Sequence, residues 1–342
     1  MNAQGRKPPD SPVDRKPPSR PVDRVMAREL RGGEFKRQDS HFREWVGVDP
    51  HTGKRGLPVS AGRYHLYVSL ACPWCHRTAI VRELAGLGEA VPIHYVAPFR
   101  DEHGWAFTGE RFEDGPGGLY VDPLNGWKLM SEAYLKSDPG YDARVTVPVL
   151  WDAQSKRIVN NESSDIIRML AAADSLGGLG EKDAKLDLYP PALRADIDEI
   201  NLRVYDTINN GVYNAGFARL QGAYERAFKR LFESFSWLEQ LLAKQRYLLG
   251  EQITEADWRL FPTLVRFDEV YHLHFRCNYR RVVEYPNLWA YTRELYQWPG
   301  VAQTVAMQQI KRHYYTTHDE LNPKHIIPLG PAPDWEKPHG RD

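Results

Sequence analysis

The chain has 342 residues with 45 Lys+Arg against 45 Asp+Glu, so no net charge selects nucleic acid or an anionic membrane as its partner. That length provides for two domains, and no apolar run approaches the length of a membrane span. Three cysteines cannot build a disulfide framework; their scarcity fits a reducing compartment, and a cytoplasmic protein is expected.

Residues 6–14 (RKPPDSPVD) are echoed by residues 15–23 (RKPPSRPVD). So much proline with mixed charge cannot bury a core, so residues 1–30 are expected to be disordered. The prolines and aspartates also argue against the amphipathic helix of a transit peptide. Residues 31–60, with Phe35, Phe42 and Trp45, read as an ordered arm. From Tyr64 to Leu70 the pattern alternates and is rich in β-formers, which predicts a strand. Pro73 then opens a helix through Ala79, Ile80, Val81 and Leu84. A second strand over 91–96 completes a βαβ unit with a right-handed crossover. Residues 97–141 form a long aperiodic stretch whose aromatics (Trp105, Phe107, Phe112, Tyr120, Trp127) favour an ordered, site-forming loop.

Residues 145–151 look like a strand with Pro148 inside it, and a cis proline at the strand start resolves that conflict. Ile158-Val159 adds a neighbouring strand, and residues 160–165 open a helix through Ile166, Ile167, Met169 and Leu170. Residues 177–189 read as a linker. Beyond Pro190 the pattern is helical: Ile197, Ile200, Val204 and Ile208, then Ala227, Leu231, Phe235, Leu238 and Leu242. Thr254 and Asp257 have the spacing of a capping box, with Ile253 stapled to Trp258. Pro299 is expected to open a last helix near 301–310, and residues 322–342 form an extended tail. The expectation is an α/β domain over 61–176 and an all-helical domain over 190–321.

Cys72 falls where the first strand gives way to the first helix. Unpaired N–H groups and the positive end of the helix dipole favour a thiolate there, and a thiolate at neutral pH is a nucleophile. A structural zinc site would need a second ligand pair, and the remaining cysteine, Cys277, stands alone. Cys72-x-x-Cys75-His76 is also a haem-attachment string, but that use normally accompanies export, and no signal peptide is read. Cysteines merely buried at a helix start would explain neither Pro73 nor the strand-to-helix switch. Thiol chemistry on a thioredoxin-like fold, without a metal, carries most weight.

With a helical domain after the α/β one, the layout resembles the glutathione transferases. Pro148 after Val147, the Glu162-Ser163 pair and the 254–257 cap match that superfamily. More narrowly, the chain is similar to the glutathionyl-hydroquinone reductases, the Xi class. The matching stretches are Cys72-Pro73-Trp74, Gly104-Trp105, and residues 144–152 (RVTVPVLWD), 160–163 (NNES), 205–213 (YDTINNGVY) and 264–268 (LVRFD). The resemblance implies a thioredoxin-like domain followed by an all-α transferase-like domain. It implies glutathione as cosubstrate, no permanently bound cofactor, and a homodimer. The activity it implies is reduction of glutathionyl-hydroquinones to hydroquinones through a Cys72–glutathione mixed disulfide.

By the same resemblance Trp105 lies over glutathione, Arg144, Val145, Thr146 and Val147 meet its backbone groups, and Glu162 with Ser163 holds its γ-glutamyl end. The last pair also follows from chemistry, since an amine and a carboxylate would meet a carboxylate and a helix N-terminus; a simple helix cap is the plainer use of the same pair. Tyr213 is implied as proton donor, with Tyr271 and Tyr314 stabilising the thiolate. Cys75 departs from the family pattern, which usually has alanine there. It makes the motif look like a dithiol glutaredoxin and is a candidate resolving thiol. The competing readings are a conjugating or omega-like transferase, and a non-enzymatic binding module with a degenerate site.

Overall fold

The computed structural model describes residues 29–115, 119–181 and 186–341. The proline-rich repeat and part of the linker lie outside them.

The arm opens with a short antiparallel pair, β1 (Leu30–Arg31) and β2 (Glu34–Phe35). The α/β domain then runs β3 (Tyr64–Val68), α1 (Pro73–Leu84), β4 (Ile93–Tyr95), a small hairpin of β5 (Arg100–Asp101) and β6 (Gly104–Trp105), α2 (Ser131–Ser137), β7 (Val149–Asp152), β8 (Arg157–Asn160) and α3 (Ser163–Ala171). One sheet has the order β4-β3-β7-β8, with β3 and β4 parallel and the other pairs antiparallel. The crossover unit read from the sequence is present. Central β7 is buried at all four positions, which is why its sequence (VLWD) does not alternate. Its one charge, Asp152, is neutralised by a two-point contact with Arg63 at 2.9 and 2.6 Å.

Three expectations are corrected. The strand over 145–151 begins only at Val149, and the cis peptide Val147–Pro148 precedes the ladder, so the proline breaks no sheet hydrogen bond. Residues 97–141 are not aperiodic throughout: they contain the β5–β6 hairpin, turned at Gly104 (φ 88°), and α2. The last helix does not start near Val301. A single 3-10 turn, Ala302–Thr304, intervenes.

In the helical domain α4 (Arg194–Val204) continues through a π turn (Tyr205–Asn209) into α5 (Gly211–Gly216). Next come α6 (Gln221–Leu242) and α7 (Glu255–Arg266), the latter prolonged by a second π turn (Phe267–Tyr271). The Thr254–Asp257 capping box is formed. A helix the sequence did not announce, α8 (Pro286–Gln297), has its proline at the first helical position, and α9 (Met307–Thr317) ends the domain. The tail is not loose: Trp335 stacks on Tyr296 at 5.3 Å, and Arg341 pairs with Glu294 at 2.8 Å.

The domains are locked together by buried arginines. Arg168 of α3 donates to both carboxylate oxygens of Glu255 at the start of α7, each at 2.8 Å. Breaking one partner of such a buried pair costs about 3–5 kcal/mol, so the contact fixes how the helical domain sits over the sheet. Arg77 of α1 reaches Asn209 at 2.6 Å and the Arg259 carbonyl at 3.0 Å. Among the described residues no helix is long and apolar enough to cross a membrane.

Candidate active site

Cys72 is the N-cap of α1, with Pro73 at the first helical position. Its backbone is extended there (φ −77°, ψ 124°), so the side chain leaves the strand and meets the open end of the helix. The sulfur lies 3.6 Å from the Val147 carbonyl oxygen, beside the cis proline. Burial opposes ionisation of Cys72. Hydrogen bonds from the Cys75 thiol and from the Cys75 and Trp74 N–H groups, with the charge of Arg266, outweigh it and bring the thiol down to about 7. Cys75 is pushed the other way, by burial and then by its neighbour Cys72. It is buried and its sulfur accepts the Ser69 N–H at 3.3 Å. All three cysteines are free thiols.

Cys72 opens into a cleft whose sheet-domain side is polar. Val147 sits two residues before the first paired residue, Val149, so its backbone groups lie outside the sheet pairing. Tyr134 holds this strap in place, its hydroxyl donating to the Thr146 carbonyl at 2.8 Å and accepting from Asn161 at 3.1 Å. Val145, Thr146 and Val147 all line the cleft. The arm grips Arg144 from outside: Gln38 exchanges two hydrogen bonds of 3.0 Å with its backbone, and Glu29 pairs with its guanidinium at 2.8 Å. Further along, Glu162 caps α3 by accepting the Ser164 N–H at 3.1 Å, and Ser40 donates to it at 2.9 Å. Burial works against its charge, but these bonds and the charge of Arg77 hold the carboxyl below the usual range. Glu162 and Ser163 thus line a lobe of the cleft continuous with Cys72 through Trp74, Arg144, Thr146 and Val147.

The helical-domain side is aromatic. Tyr213 of α5 and Tyr314 of α9 line the cleft, their hydroxyls 2.5 Å apart. Tyr271 does not line it. It stands behind Tyr314, hydroxyl to hydroxyl at 2.8 Å. Burial raises all three phenols, so each keeps its proton at neutral pH. The three are brought together by close packing: a Cβ on Gly216 would lie 2.3 Å from the Phe275 ring, which itself packs on Tyr213, Tyr271 and Tyr314. Trp105, at the end of the β5–β6 hairpin, closes the cleft with its ring stacked on His313 at 5.2 Å. Among the described residues no cluster of three His, Cys, Asp or Glu side chains could hold a metal.

Family models for the glutathione S-transferase N-terminal and C-terminal domains match residues 71–173 and 221–294. The chain is 48% identical over 314 residues to glutathionyl-hydroquinone reductase YqjG from Escherichia coli, covering 91% of this chain and 93% of that one. It is 48% identical to glutathionyl-hydroquinone reductase PcpF from Sphingobium chlorophenolicum, covering 88% and 91%. The chain belongs to the Xi-class glutathione transferases. Among solved structures, the Xi-class transferase from Natrialba magadii superposes with a TM-score of 0.84 at 45% identity, over 92% of this chain and 93% of that one. The glutathione-bound structure of YqjG superposes with a TM-score of 0.81 over 88% and 96%.

Several side chains of this Xi-class cleft escaped the sequence reading. Arg37 of the arm lies over the rings of Phe35, Trp74 and Tyr213 at 5.2, 5.0 and 4.9 Å, between the two lobes. Arg100, Phe217, His313 and His318 also line it. The aromatic residues of the arm were a visible signal for Phe35. Nothing in the local pattern singled out the others, which arrive from distant elements.

Proposed function

We propose that this chain reduces glutathionyl-hydroquinones to hydroquinones with glutathione as the reductant. The observation that carries the reading is a low-pKa thiol, Cys72, at the junction of a polar lobe and an aromatic one. In the polar lobe Glu162, Ser163 and the 145–147 strap suit the charged ends and backbone of glutathione; Arg144 and Trp105 flank it. In the aromatic lobe Tyr213 and Tyr314 suit a hydroquinone ring.

The steps follow from thiol exchange. The Cys72 thiolate attacks the sulfur of the glutathionyl adduct, forming an S–S bond as the aryl C–S bond breaks. The electron pair of that bond stays on the aromatic carbon, which takes a proton; Tyr213 is the donor, and Tyr314 backed by Tyr271 shares the charge left on its oxygen. A second glutathione thiolate then attacks the mixed disulfide, releases oxidised glutathione and returns Cys72 as thiolate. No further cofactor enters this balance. Cys75, buried with a raised pKa, serves as hydrogen-bond donor to Cys72, and glutathione from solution resolves the intermediate. The setting is a glutathione-rich reducing compartment such as the cytoplasm, and the assembly is a homodimer; a monomer mass by light scattering at micromolar concentration would overturn the latter.

Cys72→Ser tests the core of the reading. Reduction of a glutathionyl-hydroquinone should fall by about three orders of magnitude or more, as expected for loss of a covalent nucleophile. Mass spectrometry of the native chain treated with substrate alone should find one glutathione on Cys72. Full activity in Cys72→Ser would sink the assignment.

A further inference from the structure

Arg266, the last residue of α7, has no solvent-exposed surface. Its guanidinium donates to the Leu70, Ala71 and Pro262 carbonyls at 3.1, 3.3 and 2.9 Å and to His76 Nδ1 at 2.8 Å. All four acceptors are neutral. His76, accepting at Nδ1, carries its proton on Nε2 and donates it to Thr304 Oγ1 at 2.8 Å; Thr304 donates in turn to the Val301 carbonyl at 2.7 Å. Burial, then the charge of Arg266, lowers the His76 pKa well below the usual value, so this ring adds no compensating or competing charge. Among the described residues Arg266 forms no ion pair with a carboxylate.

A buried cation without a counter-ion is costly. This one is also aimed at an unfavourable place. It contacts the two residues before Cys72 and the residue one turn after it, so it sits at the N-terminus of α1, which is itself positive. Two positive features converge beside Cys72; of the two thiols there Cys75 is raised and Cys72 lowered, so Cys72 is the one that becomes an anion.

Resting on Cys72 as the reactive thiol, we propose that Arg266 is a positioning residue of the helical domain whose buried charge takes the Cys72 thiolate as its counter-ion and so keeps that thiol nucleophilic. The remaining groups around Cys72 do not duplicate it. Arg144 is already paired with Glu29, Arg37 lies over the rings of Phe35, Trp74 and Tyr213, and Arg100 lies over Trp105. Cys75 acts through a hydrogen bond from its own helix. The Tyr213 and Tyr314 phenols, raised by burial, and the His313 and His318 imidazoles, lowered by burial, are uncharged at neutral pH. Reactivity of a thiol in one domain therefore depends on docking of the other.

The test is the pH dependence of Cys72 alkylation by iodoacetamide in the full chain, read at that residue by peptide mass mapping. In the native chain the midpoint should lie at about 7. Arg266→Gln, which keeps hydrogen-bonding capacity and removes the charge, should raise it by about half a pH unit. Arg266→Lys, which keeps the charge and loses the fork of donors, should stay within about a tenth of native. Should Arg266→Gln fail to fold, Arg266→Met, uncharged and of similar length, takes its place and should raise the midpoint likewise. An unchanged midpoint in a folded neutralised variant overturns the proposal, as does an equal rise in Arg266→Lys, which would mean that the clamp on Leu70 and Ala71 matters and the charge does not. A native midpoint near that of an ordinary thiol would instead overturn the nucleophile assignment itself.

Discussion

On the sheet-domain side of the cleft, nearly every group suited to glutathione belongs to a turn of the backbone. Cys72 and Glu162 are helix N-caps, and Val147 precedes a cis proline at the edge of the ladder. On the helical-domain side the same cleft is closed by side chains from α5 and α9, with Tyr213 and Tyr314 101 residues apart in the chain and joined through their hydroxyls and through the shared Phe275 ring. The first side takes the placement of its caps and strap largely from local backbone geometry. The second holds its shape through aromatic packing and two π turns, irregularities that often accompany functional sites. One side is thus suited to recognise a constant ligand, and the other to place a proton against a variable ring.

Substitutions can separate the two. Tyr213→Phe should slow reduction of the aromatic adduct by about 10²-fold, the usual scale for a lost general acid, and leave simple glutathione disulfide exchange near native, because exchange protonates no carbon. Tyr314→Phe should cost less, and Tyr271→Phe, one step further from the cleft, least. Equal loss of both reactions in all three would show that the aromatic side acts on the thiol and not on the ring.

Glu162→Gln keeps an acceptor for the cap and removes the charge. It should raise the KM for glutathione by about tenfold, the worth of one charge-assisted hydrogen bond, with kcat little changed. A fall in kcat alone would mean that the polar side takes part in the chemistry.

Cys75→Ala should keep most activity at alkaline pH but lose about threefold near neutrality. The sign follows from the Cys72 thiol: it is depressed, so thiolate is lost as pH falls through about 7, and removing the Cys75 hydrogen bond moves that loss to higher pH. A dead but folded variant would establish a dithiol cycle. The smallest effect is expected for removal of residues 1–24, which should leave activity within about twofold, since their proline-rich, mixed-charge composition cannot bury a core and Glu29 and Gln38 of the arm remain to hold Arg144. Ser40→Ala should act in the same direction as Glu162→Gln but more weakly, because it strips one donor from that carboxylate.

Much of the sheet domain could be read directly. A β-rich run, a proline at the first helical position and a second β-rich run predict the crossover unit, and a cysteine at that switch is a helix cap by position alone. The capping box at Thr254 was equally legible, because caps are set by residues within one turn of each other. Less was visible where proline or aromatic content hid short elements. The β5–β6 hairpin pairs only two residues a side, too few for a period, and α8 begins at a proline inside an aromatic-rich stretch. The three tyrosines were reached only through family likeness, since eighteen tyrosines give no local reason to choose these.

By itself, then, the amino-acid order determined what depends on neighbours in the chain: the strand-to-helix switch, the N-caps at Cys72 and Glu162, the proline before β7 and the helical character beyond residue 190. Only the tertiary structure decided what depends on distance in space. It set Tyr213 against Tyr314, put Tyr271 behind them, laid Arg37 between the two lobes, and buried the charge of Arg266 at the start of a helix 190 residues earlier in the chain. Electrostatic and hydrogen-bonding energies depend on separation and burial, and no local pattern encodes either for residues that far apart.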